Sequence, residues 1–600
     1  MIDREQWLKE AESAEESGAL LTCQAIVKKT ICFDVDEEDM LRTLMDDADL
    51  CLTHFKTAEA PNPSGTGALV EKQTPMVETA RAIYRVATGR FPSDIDLWLD
   101  FVGLEKDHGD QSSLDAVLKE AVKECPQSET LWLMAAKEKW VVSRDVPAAR
   151  RVLMEAFQSN PNSESIWLAA VKLEWENQES ERARALLAKA RDRGAGAAVD
   201  GGPASARVWM KSAMLDREIN FSATVAAELH TASASARENA IKLLETELEL
   251  IDKALLHHPT FYKLYLMGGQ VCEVLHQVQL IAGGSGAGVE GAKDGRERAR
   301  DYYMDGAKKC APVASTADKT AVGVAPVYPT LPLWLAVIRL EEKYTSVVKA
   351  RSMIERAKQG CISTTGASGI KCEDIWLEAI QLERRCGGAS STSGGAVVSK
   401  GVPGLLASPC GSQNKQSILV MAQALQELPT SGLIWSEEIL TCTKQQHKGR
   451  SLEALKRCDG NNDFNIILAV ARVFERDGKA AKSRKWYQRA MALAPRCGDI
   501  WAYYYRFELK QKLIQERILK LQTSVTTSAD GGMEVGEEEV EEAVPSGVDV
   551  PQSLMDQCVA AKPNRGQLWC TVTKRTENRH MDDSVLLKKC VEQIEQMEHV

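Results

Sequence analysis

The chain has 600 residues, of which 44% are hydrophobic and 26% charged, and its formal net charge is −11. No stretch approaches the roughly 18 consecutive apolar residues of a membrane span, and the first residues lack the basic and apolar regions of a secretory signal, so both classes are disfavoured. The acidic balance argues against a protein whose overall field binds nucleic acid. The 16 cysteines form no CxxC pair, which favours free thiols in the cytosol or nucleus over zinc sites.

Tryptophan is the commonest aromatic residue, with 13 copies, and it recurs at a fixed distance from proline. Seven times a Pro is followed six residues later by a Trp, whereas about 0.4 such pairs would arise by chance. A spacing that recurs in this way indicates an internal repeat. An eighth copy, Pro259/Tyr265, carries Tyr in place of Trp. The seven pairs are Pro92/Trp98, Pro126/Trp132, Pro161/Trp167, Pro203/Trp209, Pro429/Trp435, Pro495/Trp501 and Pro563/Trp569.

The predicted elements are helix pairs, about 13 in all, taken in chain order with insertions between some of them. The uninterrupted steps, from Trp98 to Trp132 and from Trp132 to Trp167, have the period of a two-helix repeat. The units in which another residue replaces the Trp include those with Leu44 and Ile467. Repeats are predicted over residues 1–193, 205–281, 296–386, 414–520 and 551–600.

Gly-, Ser- and Ala-rich compositions, or acidic ones, mark the predicted insertions, because such stretches bury too little apolar surface to order themselves. A lengthened helix with an irregular start is expected between Asn220 and His258, where a helical pattern is too long for one unit. The flexible insertions are 194–204, 282–295, a loop over 313–330, 387–413 and the acidic segment 521–550.

Three further signals define the unit. An acidic residue follows the Trp by seven positions, which is two helical turns and therefore the same helix face. An Ala-Arg pair opens the second helix, Pro ends it, and a Ser or Asp two residues past the Pro caps the next helix. The acids are Glu105, Glu174, Asp216, Glu341, Glu383 and Glu508; the pairs include Ala80-Arg81, Ala149-Arg150, Ala183-Arg184, Ala299-Arg300 and Ala350-Arg351; the caps are Asp94, Ser128, Ser163, Ser205 and Ser431.

These recurrent residues are predicted to build the repeat and to do nothing else. The small Ala lets the two helices approach, and the Trp fills the wedge between them while donating its indole N–H at the edge. The excess of Trp is therefore a structural register rather than a sign of aromatic binding chemistry.

Motifs of enzymes and metal proteins are weak in this chain. Gly286–Gly291 fits GxGxxG, but it lies in a Gly-rich tract without the strand that a dinucleotide fold requires. His257-His258 has no further ligand at helical spacing and is placed at a helix end, where His often contacts carbonyl groups. The acidic run Glu537–Glu542 is interpreted as a solvated loop, with docking onto a basic partner as the alternative. We predict no catalytic, cofactor-binding or metal-binding residues.

Trp, an acid seven residues on, Ala-Arg and a closing Pro resemble the half-a-TPR (HAT) repeat of RNA-processing complexes. Longer runs are similar to the pre-mRNA-processing factor 6 family, from residue 3 to about 590 outside the insertions. Those runs are Asp3–Trp7, Leu131–Met134, Asp145–Arg150, Asn160–Glu164, Ile166–Glu174, Glu181–Arg184, Leu468–Ala471 and Gly498–Ala502.

The resemblance implies an all-α superhelical solenoid of HAT repeats and a non-catalytic scaffold in the nucleus. Such a scaffold would bridge the U5 small nuclear ribonucleoprotein (snRNP) to the U4/U6 snRNP in the tri-snRNP. Its implied partners are snRNP proteins of both particles, with at most weak or indirect RNA contact, no membrane and no small-molecule substrate. The family has an N-terminal region before its repeats, whereas this chain starts inside the array, as a fragment or an incomplete gene model would.

Two alternatives remain open from the sequence. One is a HAT-repeat factor of RNA 3′-end formation or ribosome biogenesis that binds RNA or ribonucleoproteins, which would need a basic stripe. The other is an enzyme or its regulatory solenoid, although no stretch outside the repeats is long enough for a catalytic domain.

Overall fold

The computed structural model describes residues 4–32, 35–37, 39–56, 76–197, 202–220, 234–281, 294–310, 330–363, 373–387, 415–458, 463–526, 550–573, 575, 578 and 581–599. The chain divides into two compact units, Met1–Gly295 and Arg296–Val600. Over the described residues the secondary structure is helical, without a strand, and one isolated bridge joins Cys497 to Arg565. In this part of the chain no helix combines the length and the apolar character needed to cross a bilayer.

The described helices of the first unit follow one another with short connections. They are α1 (Arg4–Glu16), α2 (Leu20–Thr30), α3 (Met40–Lys56), α4 (Val77–Arg90), α5 (Ile95–His108), α6 (Gln111–Glu124), α7 (Glu129–Lys137, continued by a π-helical turn Glu138–Val142), α8 (Val146–Ser159), α9 (Glu164–Glu176), α10 (Ser180–Asp192), α11 (Ala206–Asn220), α12 (Ala234–His257) and α13 (Tyr262–Ile281).

The second unit repeats the arrangement, and its first helix begins at the boundary. Its described helices are α14 (Gly295–Lys309), α15 (Leu331–Tyr344), α16 (Val347–Ser363), α17 (Glu373–Gly387), α18 (Lys415–Glu427), α19 (Gly432–Thr441), α20 (His447–Arg457), α21 (Phe464–Arg476), α22 (Ala480–Leu493), α23 (Gly498–Thr526), α24 (Val550–Ala561), α25 (Gln567–Thr573) and α26 (Asp583–His599).

Neighbouring helices pack as pairs, and the pairs stack. In the first unit α5 packs on α6, α7 on α8 and α9 on α10, while the second helix of a pair contacts the first helix of the next pair. Connections as short as Gly109–Asp110 make the partners antiparallel. The predicted all-α repeat stack is therefore confirmed in each unit. The number of about 13 pairs stays a prediction.

Proline ends the second helix where the sequence predicts it. Four helices stop two residues before a Pro, and the intervening residue has φ between −117° and −137° and ψ between 63° and 68° in all of them. This backbone is outside the helical region, because the proline ring clashes with a helical residue before it. The four intervening residues are Phe91, Cys125, Asn160 and Ala494.

Four of the five predicted caps form a hydrogen bond from their side chain. Asp94 accepts from the backbone N–H of Leu97 at 3.0 Å. The hydroxyls of the three capping serines accept at 3.3–3.4 Å from the N–H three residues on. Ser128 occupies the cap position of α7 without such a bond. The three serines are Ser163, Ser205 and Ser431.

Two further helix N-termini are capped by carboxylates from distant helices. Glu15 of α1 accepts from the N–H groups of Glu78 and Thr79 at 2.9 Å each, at the start of α4. Asp499 of α23 accepts from the N–H groups of Gln567 at 2.7 Å and Trp569 at 2.8 Å, at the start of α25. Because the first N–H groups of a helix have no internal partner, these carboxylates fix one helix against another far along the chain.

The contact between α23 and α25 is also close sterically. A Cβ atom built on Gly498 would lie 2.2 Å from the ring of Trp569, so only glycine fits there. The carbonyl of Arg565 accepts from the N–H of Gly498 at 2.7 Å. The last described helices are thereby docked on the start of α23.

The described residues change two details of the predicted insertions and contain the lengthened helix that the sequence predicts. The ends of segment 194–204 belong to the packed core: Ala195 and Ala204 are fully buried, and Gly194 and Gly196 have positive φ. Helix α23 extends to Thr526, past the predicted end at 520. The lengthened helix expected before His258 is α12, whose described part has 24 residues. The remaining parts, 198–201, 282–293, 313–329, 388–413 and 527–549, lie outside the described residues.

Many of the described cysteines pack as small apolar groups in this core. Burial is the main cause that raises the pKa of the Cys51, Cys558 and Cys590 thiols, in each case to about 12. These thiols therefore stay protonated, and none is a candidate nucleophile.

Candidate interaction surfaces

The spacing of six between Pro and Trp has a direct structural cause. The residue two positions after the Pro caps the next helix, and the Trp follows this cap by four residues. From that position the indole N–H of the Trp points back to the carbonyl oxygen of the Pro. Five Trp side chains donate this bond, at 2.7–2.9 Å. They are Trp98, Trp132, Trp167, Trp435 and Trp501, bonded to Pro92, Pro126, Pro161, Pro429 and Pro495.

Tyr265 and Ile467 take the position of the Trp in two repeats, and Trp209 departs from the hydrogen-bonding pattern. The hydroxyl of Tyr265 donates to the carbonyl of Pro259 at 3.0 Å, which explains why Tyr can take the place of Trp. Ile467 occupies the same position after its cap and is fully buried. The indole nitrogen of Trp209 is buried without a hydrogen-bond partner in the described residues, and the Arg191 guanidinium lies 5.5 Å from its ring centroid.

The acid and the Arg of the repeat, which are separate signals in the sequence, form ion pairs between consecutive units. Each Arg opens the second helix of one pair, and its partner lies on the first helix of the next pair. The contacts are 2.5–3.2 Å long. The six pairs are Arg81–Glu105, Arg150–Glu174, Arg184–Asp216, Arg300–Glu341, Arg351–Glu383 and Arg484–Glu508.

Most of these carboxylates are buried, and the Arg side chains contact them directly. Although burial raises the pKa of Glu105, the bonds from Arg81 and Ser113 outweigh it and the pKa is lowered overall. The bond to Glu508 in turn raises the pKa of Arg484. The planar guanidinium suits this role because two of its N–H groups can meet both oxygens of one carboxylate.

The recurrent residues thus contact one another within and between consecutive repeats, and their recurrence is explained without a ligand. Trp, acid and Arg hold successive helices in register, as the sequence predicts. Side chains that recognise a partner must then be sought among residues that the repeat does not use.

The weak enzyme-like motifs gain little from the structure. His258 Nε2 lies 2.7 Å from the carbonyl oxygen of Ala204, and the ring of His257 lies 5.9 Å from that of Trp209. Both histidines therefore help to pack the start of α11 against the end of α12. Within the described residues no three potential metal ligands come together. The segments Gly286–Gly291 and Glu537–Glu542 lie outside those residues.

Two surface features are not used in the contacts between the repeated helices. The second half of the described part of α23 has exposed apolar side chains, with Leu513 58% and Ile518 48% exposed. A cleft of about 800 Å³ lies between α2 and α4 and carries basic side chains. The sequence did not predict this cleft. Its two walls are about fifty residues apart in the chain, and the negative net charge of the whole chain gives no indication of a local excess of basic side chains.

Comparison with known proteins adds relatives of this chain. No protein-family model matches it. Pre-mRNA-splicing factor prp1 of Schizosaccharomyces pombe is 30% identical over 587 residues, which are 98% of this chain and 48% of that protein. Protein STABILIZED1 of Arabidopsis thaliana is 34% identical over 156 residues, 26% of this chain and 12% of that protein. Human Pre-mRNA-processing factor 6 is 34% identical over 135 residues, 22% of this chain and 10% of that protein.

The chain spans about half the length of the first of these relatives. Among solved structures, the human IFIT1 dimer with m7Gppp-AAAA aligns with 82% of this chain and 96% of that chain, at 12% identity and a TM-score of 0.29. A likeness of that size supports no statement about function.

Proposed function

We propose that this chain, which belongs to the pre-mRNA-processing factor 6 family, acts in pre-mRNA splicing as a non-catalytic scaffold. In this role it joins the U5 snRNP to the U4/U6 snRNP through contacts with their proteins, and it works in the nucleus. The observation that carries the proposal is the 30% identity to a pre-mRNA-splicing factor over 98% of the chain.

The contacts within the stack support a binding role rather than chemistry. The side chains that recur along the chain are used between helices, as in Arg150–Glu174, whose two bonds measure 2.8 and 2.6 Å. Stacked helix pairs present long surfaces, which suit proteins that bind several partners at once. The chain covers about half of its fission yeast relative, so the proposal concerns the contacts made by this half.

The test is recovery of partners from a nuclear extract with the tagged chain as bait. We expect proteins of both the U5 and the U4/U6 particles in the eluate, still present after RNase treatment. Circular dichroism first confirms that the bait is helical. Recovery of neither set of proteins by a folded bait would refute the proposal.

A filter-binding assay separates the alternative of an RNA-binding factor. The scaffold predicts weak binding to single-stranded RNA, because the chain carries a net charge of −11. Tight binding with a steep dependence on salt would favour direct RNA recognition instead.

A further inference from the structure

We infer that the cleft between α2 and α4 binds an acidic segment of a partner protein that carries an apolar residue beside its carboxylates. The inference rests on the proposed scaffold function, because that function implies that the partner is a protein. From here on we call this feature the basic cleft.

The basic cleft is formed by two helices that run in the same direction. Near the starts of the two helices, the sulfur of Cys23 on α2 lies 3.3 Å from the hydroxyl oxygen of Thr79 on α4. Near their ends, Lys28 of α2 and Arg90 of α4 line the cleft. The walls therefore present one row of side chains from each helix, at helical spacing on each.

Four basic side chains and no acidic one line this cleft. They are Lys28, Lys29, Arg85 and Arg90, all exposed. Within the described residues, neither lysine nor Arg85 forms an ion pair. The contrast with Arg81, one turn earlier on α4, is direct, because Arg81 is bound by Glu105 and Glu78. Lys28 and Lys29 are thus positively charged groups that the stack does not neutralise. Arg85 forms no ion pair in this part of the chain either, although its charge helps to lower the pKa of Glu105.

The floor of the cleft is apolar and roomy. Ala82 is buried and Val86 is half-buried between the two helices. A Cβ built on Gly89 meets no atom within 4 Å, so this wall leaves open space. A volume of about 800 Å³ is within the range of pockets that bind small ligands, so the cleft has room for a few side chains of a partner.

An exposed leucine continues the same face of α2. Leu21 is 82% exposed and precedes Gln24 by three residues and Lys28 by seven, which puts all three side chains on one side of the helix. A partner with carboxylates in the cleft would place an apolar side chain on Leu21. Burying that side chain would add affinity to the charge attraction.

Nucleic acid fits these features less well than a peptide. Single strands are bound by long basic grooves with aromatic side chains on which bases stack. The lining of the cleft contains no aromatic side chain, and the chain as a whole is acidic. A short segment with a few carboxylates needs only the local charge.

The test uses the full chain and a fluorescein-labelled nine-residue peptide of Asp and Glu with one central Leu. Fluorescence anisotropy measures its affinity in 100 mM salt. Binding is expected to weaken at least tenfold with the double substitution Lys28→Glu and Arg85→Glu. A matched peptide of Asn and Gln should not bind.

A steric block provides a second variant that does not depend on charge. Gly89→Leu fills the open space of the cleft, and leucine favours helix over glycine, so the fold is retained. The control is Gly103→Leu on α5, where a Cβ also meets nothing within 4 Å. We expect loss of peptide binding with Gly89→Leu and none with Gly103→Leu.

Alkylation of Cys32, which lines the same cleft, gives a readout at the site itself. Peptide mapping should show that the acidic peptide slows the reaction of Cys32 with iodoacetamide. Equal affinity of the wild type and both cleft variants would overturn the inference. The inference would also be overturned if an oligouridylate bound more tightly than the peptide and if the same variants abolished that binding.

The two proposals fail in distinguishable ways. If snRNP proteins are recovered from the extract but the acidic peptide does not bind, the scaffold function stands and the basic cleft has no such role. If the peptide binds the cleft and no snRNP protein is recovered, the cleft serves a partner outside splicing.

Discussion

Replacing Arg484 by Met is expected to weaken the interface between α22 and α23 by about 3 kcal/mol. Arg484 donates from Nε and Nη2 to the two oxygens of Glu508, at 2.7 and 2.9 Å. Glu508 is only 3% exposed, whereas Arg484 is 25% exposed. Met keeps most of the aliphatic volume, so the change leaves a buried carboxylate without its partner. The partial exposure of Arg484 places the cost at the lower end of the range for buried pairs.

The assay is hydrogen exchange followed by mass spectrometry on the full chain, because stability in a repeat array is local. A loss of about 3 kcal/mol corresponds to roughly 100-fold faster exchange in peptides that cover α22 and the first turns of α23. The control is Lys242→Met on α12. Lys242 pairs with Glu238 at 3.0 Å, but the two side chains are 66% and 68% exposed, so less than about 1 kcal/mol is expected.

A double substitution separates lost charge balance from lost packing. Adding Glu508→Gln to Arg484→Met removes the uncompensated charge, so exchange should slow again by tenfold or more relative to Arg484→Met alone. Two results would refute the reasoning: exchange in Arg484→Met within threefold of the wild type, or no recovery in the double variant.

Three further predictions concern other parts of the stack. Trp167→Phe removes the indole bond to the Pro161 carbonyl, 2.9 Å long, and should destabilise α9 by about 2 kcal/mol in hydrogen exchange. Gly498→Ala places a methyl carbon 2.2 Å from the ring of Trp569, which is a severe clash, and should make α25 and α26 accessible to trypsin. Burial raises the pKa of Glu247 to about 7, so the folded state binds this proton more tightly than the unfolded chain does. Stability of α12 should therefore fall by up to about 3 kcal/mol as the pH rises from 5 to 8, and Glu247→Gln should flatten that dependence.

Controls for these predictions lie in the same chain. Trp209→Phe should cost less than Trp167→Phe, because the Trp209 nitrogen has no hydrogen-bond partner among the described residues. Gly449→Ala on α20, where a Cβ has open space, should leave the trypsin pattern unchanged. A wild-type stability of α12 that rises from pH 5 to 8 would contradict the sign derived for Glu247.

The sequence predicts where the elements of the repeat lie, but not what they touch. It places Trp167 and Glu174 on one face of a helix, because their spacing of seven is a local property. It does not show that Glu174 meets Arg150, because that contact depends on which faces of consecutive pairs pack together. The Pro161 carbonyl was missed for a related reason: the direction of the indole follows from the backbone of the turn.

Contacts between distant segments are least accessible from sequence. Asp499 and Gln567 are 68 positions apart in the sequence, and nothing in the intervening sequence indicates that Asp499 caps the helix that begins at Gln567. The basic cleft has the same origin, since Lys28 and Arg85 become neighbours only when α2 and α4 align. Periodic sequence patterns reveal helices and their caps. Contacts between helices that are separated by insertions can be identified only from the three-dimensional structure.

The carboxylates of Glu15 and Asp499 have a consequence for how such chains change over time. Each carboxylate bonds to the N–H groups that begin one particular helix, so side chains set the alignment of the two helices rather than the length of the tether between them. Doubling the length of a flexible tether costs only about 0.6 kcal/mol in closure entropy. We therefore expect insertions and deletions between the described helices to be tolerated, provided that the carboxylate and the N–H groups at the start of the helix are kept. The chain should even reassemble from two co-expressed pieces when it is cut within residues 527–549.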